Sequence, residues 1–322
     1  MARESQRLAP EAIGVKSLPV DRLIPNPHNP RMLFDRIPME TLKESISKVG
    51  ILVPLTVYWS PGDNSFVILD GQRRWICAQD LKLPEVPVNQ VAEPDVVQNI
   101  VTMFQIHKLR EDWELMPTAL KIELLMDKLK ERGDKKLAEL TGLEQAQITR
   151  CKKLLSYPKK FQDLMLNADP DQRVKADFFI ELYPIRTNPF MNSQSWFKRD
   201  HFTQRMLQKY QDGEGLKAVT DFRTMKQYIT NAVREKRGGA ISKRLREFTE
   251  DDSLPLDHLL IKEADVSATA RKLVTRLEKL EEEIKALDVE EYYGVESLWD
   301  VLDKLLQTIK AKLRVANRRI NV

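Results

Sequence analysis

Two cysteines and four histidines among 322 residues leave little from which to build a redox or metal centre. Cys77 and Cys151 stand far apart, each inside a helical pattern, which argues against a disulfide framework and against a zinc site. Apolar runs are short as well. None approaches the roughly 18 residues that cross a bilayer, and the leader from Met1 to Pro10 has no apolar stretch of the kind that directs secretion. The expectation is a cytoplasmic protein with no membrane partner. What is present is a helix-rich composition on a length that suits two or three domains.

Charge gives the first positive signal. The net formal charge is only +4, but it is unevenly spread. Between Arg132 and Lys160 eight Lys/Arg face three Asp/Glu, and between Trp196 and Arg246 thirteen face five, while Glu247 to Asp257 and Glu281 to Glu283 are acidic. A basic middle with acidic flanks points to a polyanion partner.

The most informative stretch is Phe66-Val67-Ile68-Leu69-Asp70-Gly71-Gln72-Arg73-Arg74-Trp75. An apolar strand stops at Asp-Gly, a turn-forming pair, and two arginines follow on the first turn of a helix. Backbone N–H groups, a helix N-terminus and guanidinium groups in one place are what a polyphosphate needs. The plainer alternative is a strand-to-helix turn whose arginines pair with surface carboxylates.

Around it the chain reads as a small α+β domain over residues 17–95. Ser17 to Ile24 is expected as one short edge strand, leading into Pro25-Asn26-Pro27-His28-Asn29-Pro30-Arg31, a stiff proline loop that ends on Arg31. Met39 to Val49 reads as an amphipathic helix with Leu42, Ile46 and Val49 inward, Ile51 to Tyr58 and Phe66 to Leu69 as a hairpin, and Val86 to Val91 as a last strand.

Beyond Asp95 the pattern is almost entirely helical. Within 96–168, Ala138 is followed four positions on by Gly142 and then by a second helix with Ile148 and Leu154 inward, the spacing of a helix-turn-helix. Its outward residues Gln145, Gln147, Thr149, Arg150 and Lys153 can all bond base edges or phosphates. An ordinary helical hairpin with a polar face remains the alternative. Region 169–260 reads as helical with an unclear role: Thr220 to Arg237 is a basic helix ending at Gly238-Gly239, and Glu250 to Ser253 with Pro255 is a linker. In 264–322, Leu273, Leu277, Leu280, Ile284 and Leu287, then Leu298, Leu302, Leu305, Ile309 and Leu313, recur at spacings of three and four. That describes a helical hairpin or coiled coil serving oligomerisation.

These elements in this order resemble the ParB family of DNA-partition proteins, whose N-terminal domain has the ParB/sulfiredoxin fold. The likeness runs from about Leu18 to about Leu166 and rests on the Asn-Pro-His-Asn-Pro-Arg loop, Lys43 to Pro54, Asp70 to Trp75, the helix-turn-helix, and Leu155-Ser156-Tyr157-Pro158. It implies a cytidine-triphosphate switch and loading at a short palindromic DNA site. By carry-over, Arg31 meets the nucleotide, Gly71 and Gln72 offer backbone amides, and Arg73 and Arg74 hold phosphate. Implied partners are double-stranded DNA, a second copy of the chain and a partition ATPase. The implied setting is a bacterial nucleoid or a plasmid, phage or other mobile element.

Three departures qualify the resemblance. Gln72 replaces the usual Glu of the phosphate loop. In the family's third motif, Arg110 matches, but Ile106 and His107 stand where Glu and Asn belong. An isoleucine offers no oxygen to Mg2+, which counts against metal-dependent hydrolysis, while CTP or another NTP could still bind through Arg31, Arg73, Arg74 and His107. The phosphate loop also lacks the cysteine that sulfiredoxin chemistry needs. No catalytic residue and no metal ligand is therefore assigned. Two other classes stay open: an NTP-dependent enzyme of the same fold (nuclease, NTPase or kinase) with Asp70 recruited as its carboxylate, and an interaction protein with a vestigial pocket.

Overall fold

The computed structural model describes residues 12–29, 34, 36–107 and 114–320. Two compact units result, one comprising residues up to 226 together with 249–255, the other 227–248 with 256–322. Among the described residues no helix is long and apolar enough to cross a membrane.

The first unit opens with a five-stranded sheet. Its strands are β1 (Ala12–Pro19), β2 (Leu23–Pro25), β3 (Leu55–Ser60), β4 (Ser65–Asp70) and β5 (Glu85–Val91), in the order β1-β5-β3-β4-β2. The expected single strand over Ser17 to Ile24 is thus two strands, broken by a 3-10 turn at Val20–Arg22 and lying on opposite edges of the sheet. Four strand spacings of about 4.8 Å come to about 19 Å, whereas the four residue steps from Pro19 to Leu23 reach at most about 14 Å. The sheet must therefore curl until its two edges approach each other.

Strand β4 has Phe66, Val67, Ile68 and Leu69 all buried. Phe66 and Ile68 join one apolar cluster with Leu55, Val57, Val88 and Ala78 of helix α2 (Gln72–Asp80), and Val67 and Leu69 join another with Tyr58, Val91 and Met103 of α3 (Val96–His107). A strand covered on both faces reads as a continuous apolar run, which is why Phe66 to Leu69 shows no alternation. Helix α1 (Arg36–Val49) buries Ile46 as expected, but Val49 is exposed, as are Leu52 and Val53 beyond it.

Helices α4 (Leu115–Leu129), α5 (Asp134–Thr141) and α6 (Gln145–Leu155) follow. Gly142, at φ +74°, closes α5 in the left-handed conformation that glycine adopts without a Cβ penalty. Leu137, Ile148, Cys151 and Leu154 are buried with Ile122, Leu125 and Met126 of α4. Burial pushes the Cys151 thiol up to about 12 and raises that of Cys77. Both cysteines are unpaired core residues.

Next come α7 (Lys159–Leu164), α8 (Ala176–Arg186), α9 (Pro189–Asn192), α10 (Arg199–Asp212) and α11 (Asp221–Arg234). The aromatics of 188–202 serve the interior, Phe197 and Phe202 being buried in ring contact. Two expectations fail in this region. Gly238-Gly239 does not end a helix but begins α12 (Gly238–Glu250), a helix that the basic stretch before it obscured. Residues 250–255 are no free linker: Arg205 bonds Asp252 at 2.8 Å and the Thr249 carbonyl at 2.9 Å, and Lys209, 0% exposed, donates to the Asp251 carbonyl at 2.6 Å. Acidity here is the counter-charge of a buried lysine and a largely buried arginine.

In the second unit, α13 (Lys262–Lys285) and α14 (Glu296–Ile320) carry the predicted leucine stripe. Leu273, Leu277, Ile284, Ile309 and Leu313 are exposed in the single chain, while Leu280, Leu287, Leu298, Leu302 and Leu305 are half-buried.

Candidate functional site

Asp70 ends β4, Gly71 turns at φ +97°, and α2 starts at Gln72. A Cβ at position 71 would lie 2.8 Å from Leu55 Cγ and 3.0 Å from Arg74 Nη2, so the turn admits only glycine. The first N–H groups of a helix have no partner within it, and Gly71 supplies no side-chain cap to α2. The result is a positive helix end opening directly from a strand.

The two arginines divide. Arg74 turns inward: its guanidinium bonds Asp70 Oδ2 at 2.7 Å, the Pro54 carbonyl at 3.0 Å and the Val53 carbonyl, and both members of the ion pair are only 15% exposed. It braces the turn against the loop before β3. Arg73 remains at the surface, where Nη2 reaches the Pro38 carbonyl at 2.9 Å at the start of α1.

The proline loop is brought to this turn. Asn26, 4% exposed, donates to Asn99 Oδ1 of α3 at 2.7 Å and to Met103 Sδ, while its own Oδ1 accepts from the His28 amide at 2.9 Å. This Asx turn aims the loop, and Asn29 Nδ2 then bonds Gln72 Oε1 at 2.6 Å. From α4, Lys121 Nζ donates to the Pro27 carbonyl at 2.9 Å. Burial first, then Lys121 and Lys128, hold the His28 imidazole below its ordinary range, and burial lowers Lys121 too.

Gly71, Gln72, Arg73 and the Asn29 end of the proline loop are therefore together. Arg31 and Arg110 lie outside the described residues, and of His107 the structure gives only the backbone, as the last residue of α3. Sequence reading missed Asn26, Asn99 and Lys121. An asparagine between two prolines was a usable signal for the first. Lys121, beside the buried Thr118, Ile122 and Leu125, was visible only as a cation at the edge of an apolar stripe.

On α6, Gln145, Gln147, Thr149 and Arg150 are exposed and Lys153 is half-buried. Gln147 forms a capping box with Glu144, Thr149 Oγ1 bonds Asp134 at 2.5 Å, Arg150 pairs with Asp177 at 2.5 Å, and Lys153 stands 5.8 Å from the Tyr183 ring centroid. The exposed Arg150–Asp177 pair contributes little to stability.

A curled mixed sheet feeds a glycine turn and the N-terminus of α2, and a mostly helical remainder follows. Residues 4–105 match the family model described as the ParB N-terminal domain, so that part of the chain is similar to ParB N-terminal domains. It is 29% identical over 157 residues to the chromosome-partitioning protein ParB of Caulobacter vibrioides, covering 48% of this chain and 51% of that one. The chain thus spans about half the length of the curated relatives it matches. Among solved structures it is similar to C-terminally truncated ParB of Caulobacter crescentus complexed to the centromeric parS site, with 21% identity, TM-score 0.40, and 65% of this chain and 97% of that one covered. The same protein complexed with CTP-gamma-S gives 23% identity and TM-score 0.29, covering 60% and 99%.

Proposed function

We propose that this chain is a DNA-binding protein of partition type, whose N-terminal domain takes a nucleoside triphosphate, CTP first, at the Gly71 turn. The observation that carries the reading is the bond between Asn29 and Gln72, which joins the proline loop to the helix end that would hold the phosphates. In this account Gly71 and Gln72 offer backbone amides and Arg73 is the phosphate-facing guanidinium. Arg74 shapes the turn rather than gripping the ligand, because Asp70 and two carbonyls already occupy it. Helix α6 is the reading helix for double-stranded DNA, through Gln145, Gln147, Thr149, Arg150 and Lys153. Two copies pair through the leucine stripe of α13 and α14. Plasmid, phage or chromosome segregation, with a partition ATPase as motor, is the process this arrangement suits.

The DNA half is tested by fluorescence anisotropy on duplexes across a salt series. Arg150→Ala and Lys153→Ala should each weaken binding and reduce the slope of log K against log salt by about 1. Unchanged affinity and slope in both variants would exclude α6 as the DNA-facing helix.

A further inference from the structure

The family resemblance brings Mg2+ with it as the nucleotide's companion, and the residues present can be tested against that ion. Mg2+ takes oxygen ligands in octahedral geometry, commonly one or two carboxylates with substrate phosphates. The described side chains that converge on the turn and its proline loop are Asn26, His28, Asn29, Gln72, Arg73 and Lys121, which are amides, an imidazole and cations. The carboxylate of the turn itself, Asp70, is held by Arg74 at 2.7 Å. In the third motif Ile106 stands where an acid belongs. Among the described residues no group of three or more His, Cys, Asp or Glu could hold a metal ion. Among the described residues the donor set fits phosphate and does not fit Mg2+.

We propose that this site takes the triphosphate without a divalent cation, and that Lys121 of α4 supplies the positive charge a metal would otherwise bring. The inference rests on the nucleotide reading above. Lys121 is half-buried, and its ammonium uses one of three donors on the Pro27 carbonyl with no carboxylate partner among the described residues. Its anchorage on α4 fixes the head group against the loop whose Asn29 holds Gln72. His28 lies in the field of Lys121 and Lys128, so among the described residues positive charge gathers at this loop, a condition that attracts a polyanion. Gln72 completes the set. A glutamate there would repel phosphate unless a metal lay between them, whereas Gln72, accepting from Asn29 through Oε1, keeps its Nε2 hydrogens for donation.

The test is calorimetric titration of the full chain with CTP, once in EDTA and once in excess magnesium, for the parent, Lys121→Gln and Lys121→Arg. The affinity should be the same in both buffers. Lys121→Gln should weaken it about tenfold or more in both, as loss of a charge-assisted hydrogen bond does, and Lys121→Arg should retain it. Parallel melting curves separate a binding effect from a folding one, and Lys121→Met, which keeps an apolar stem, replaces Lys121→Gln if the latter melts early. Binding seen only with magnesium, or an unchanged affinity in Lys121→Gln, overturns the inference while leaving the nucleotide site standing. Heat from none of the four ribonucleoside triphosphates in either buffer would remove the nucleotide reading itself, and the inference with it.

Discussion

Gly71→Ala is expected to lower the melting transition of the N-terminal domain by at least about 8 °C and to abolish nucleotide binding. The new Cβ would stand 2.8 Å from Leu55 Cγ, a side chain with no exposed surface, and 3.0 Å from the Arg74 guanidinium. Two costs add. Holding a non-glycine residue in the left-handed region costs about 1–2 kcal/mol, and forcing a methyl group into a filled core costs about 1–3 kcal/mol. At about 4–8 °C per kcal/mol for a domain of this size, the sum comes to at least about 8 °C. Relief by movement is closed off on both sides, since Leu55 belongs to the central strand β3 and Arg74 is tied to Asp70. Intrinsic fluorescence reports the transition through Trp59 and Trp75, which pack against the N-terminal core. A shift below about 3 °C would mean that the turn tolerates a side chain and is not the rigid cradle described above.

The second large effect concerns the C-terminal helices. Leu277 and Leu313 are 44% and 55% exposed in the single chain, so Leu277→Glu with Leu313→Glu disturbs no interior of the monomer. In a pair of chains held by the stripe, four leucines would lose their burial. At the low end of about 1.5 kcal/mol each, that is about 6 kcal/mol, or about four orders of magnitude in the dissociation constant. Light scattering at micromolar concentration should therefore show the mass halved and the helical content retained. An unchanged mass would show that pairing, if present, uses another surface.

How much of this was legible depended on how local the cause was. The Phe66 to Trp75 stretch revealed its strand, its glycine turn and its helix start because each is decided within a few residues. Gly142 and the apolar spacing of Ile148 and Leu154 did the same for α5 and α6. The break between β1 and β2 was not legible, because Val20–Arg22 turns only where the sheet curls, a consequence of pairings with Val86 and Phe66 far along the chain. Gly238-Gly239 misled for a related reason: glycine commonly follows a helix, yet here the pair opens the next one. Asp251 and Asp252 looked like a solvated linker until Arg205 and Lys209 were found beneath them. The two arginines of the turn were equivalent in sequence, and only the fold separated the brace Arg74 from the surface residue Arg73. Lys121 joins a loop 94 residues away, a distance at which sequence pattern carries no signal.

The central claim is that the Gly71 turn and the proline loop form a nucleotide site. It is tested most directly by calorimetric titration of the full chain with each of the four ribonucleoside triphosphates, with Arg73→Ala as the comparison. The account predicts saturable binding that favours CTP and falls about tenfold or more in Arg73→Ala, whose melting curve should match the parent's. No binding of any of the four, or equal binding by the variant, would contradict it.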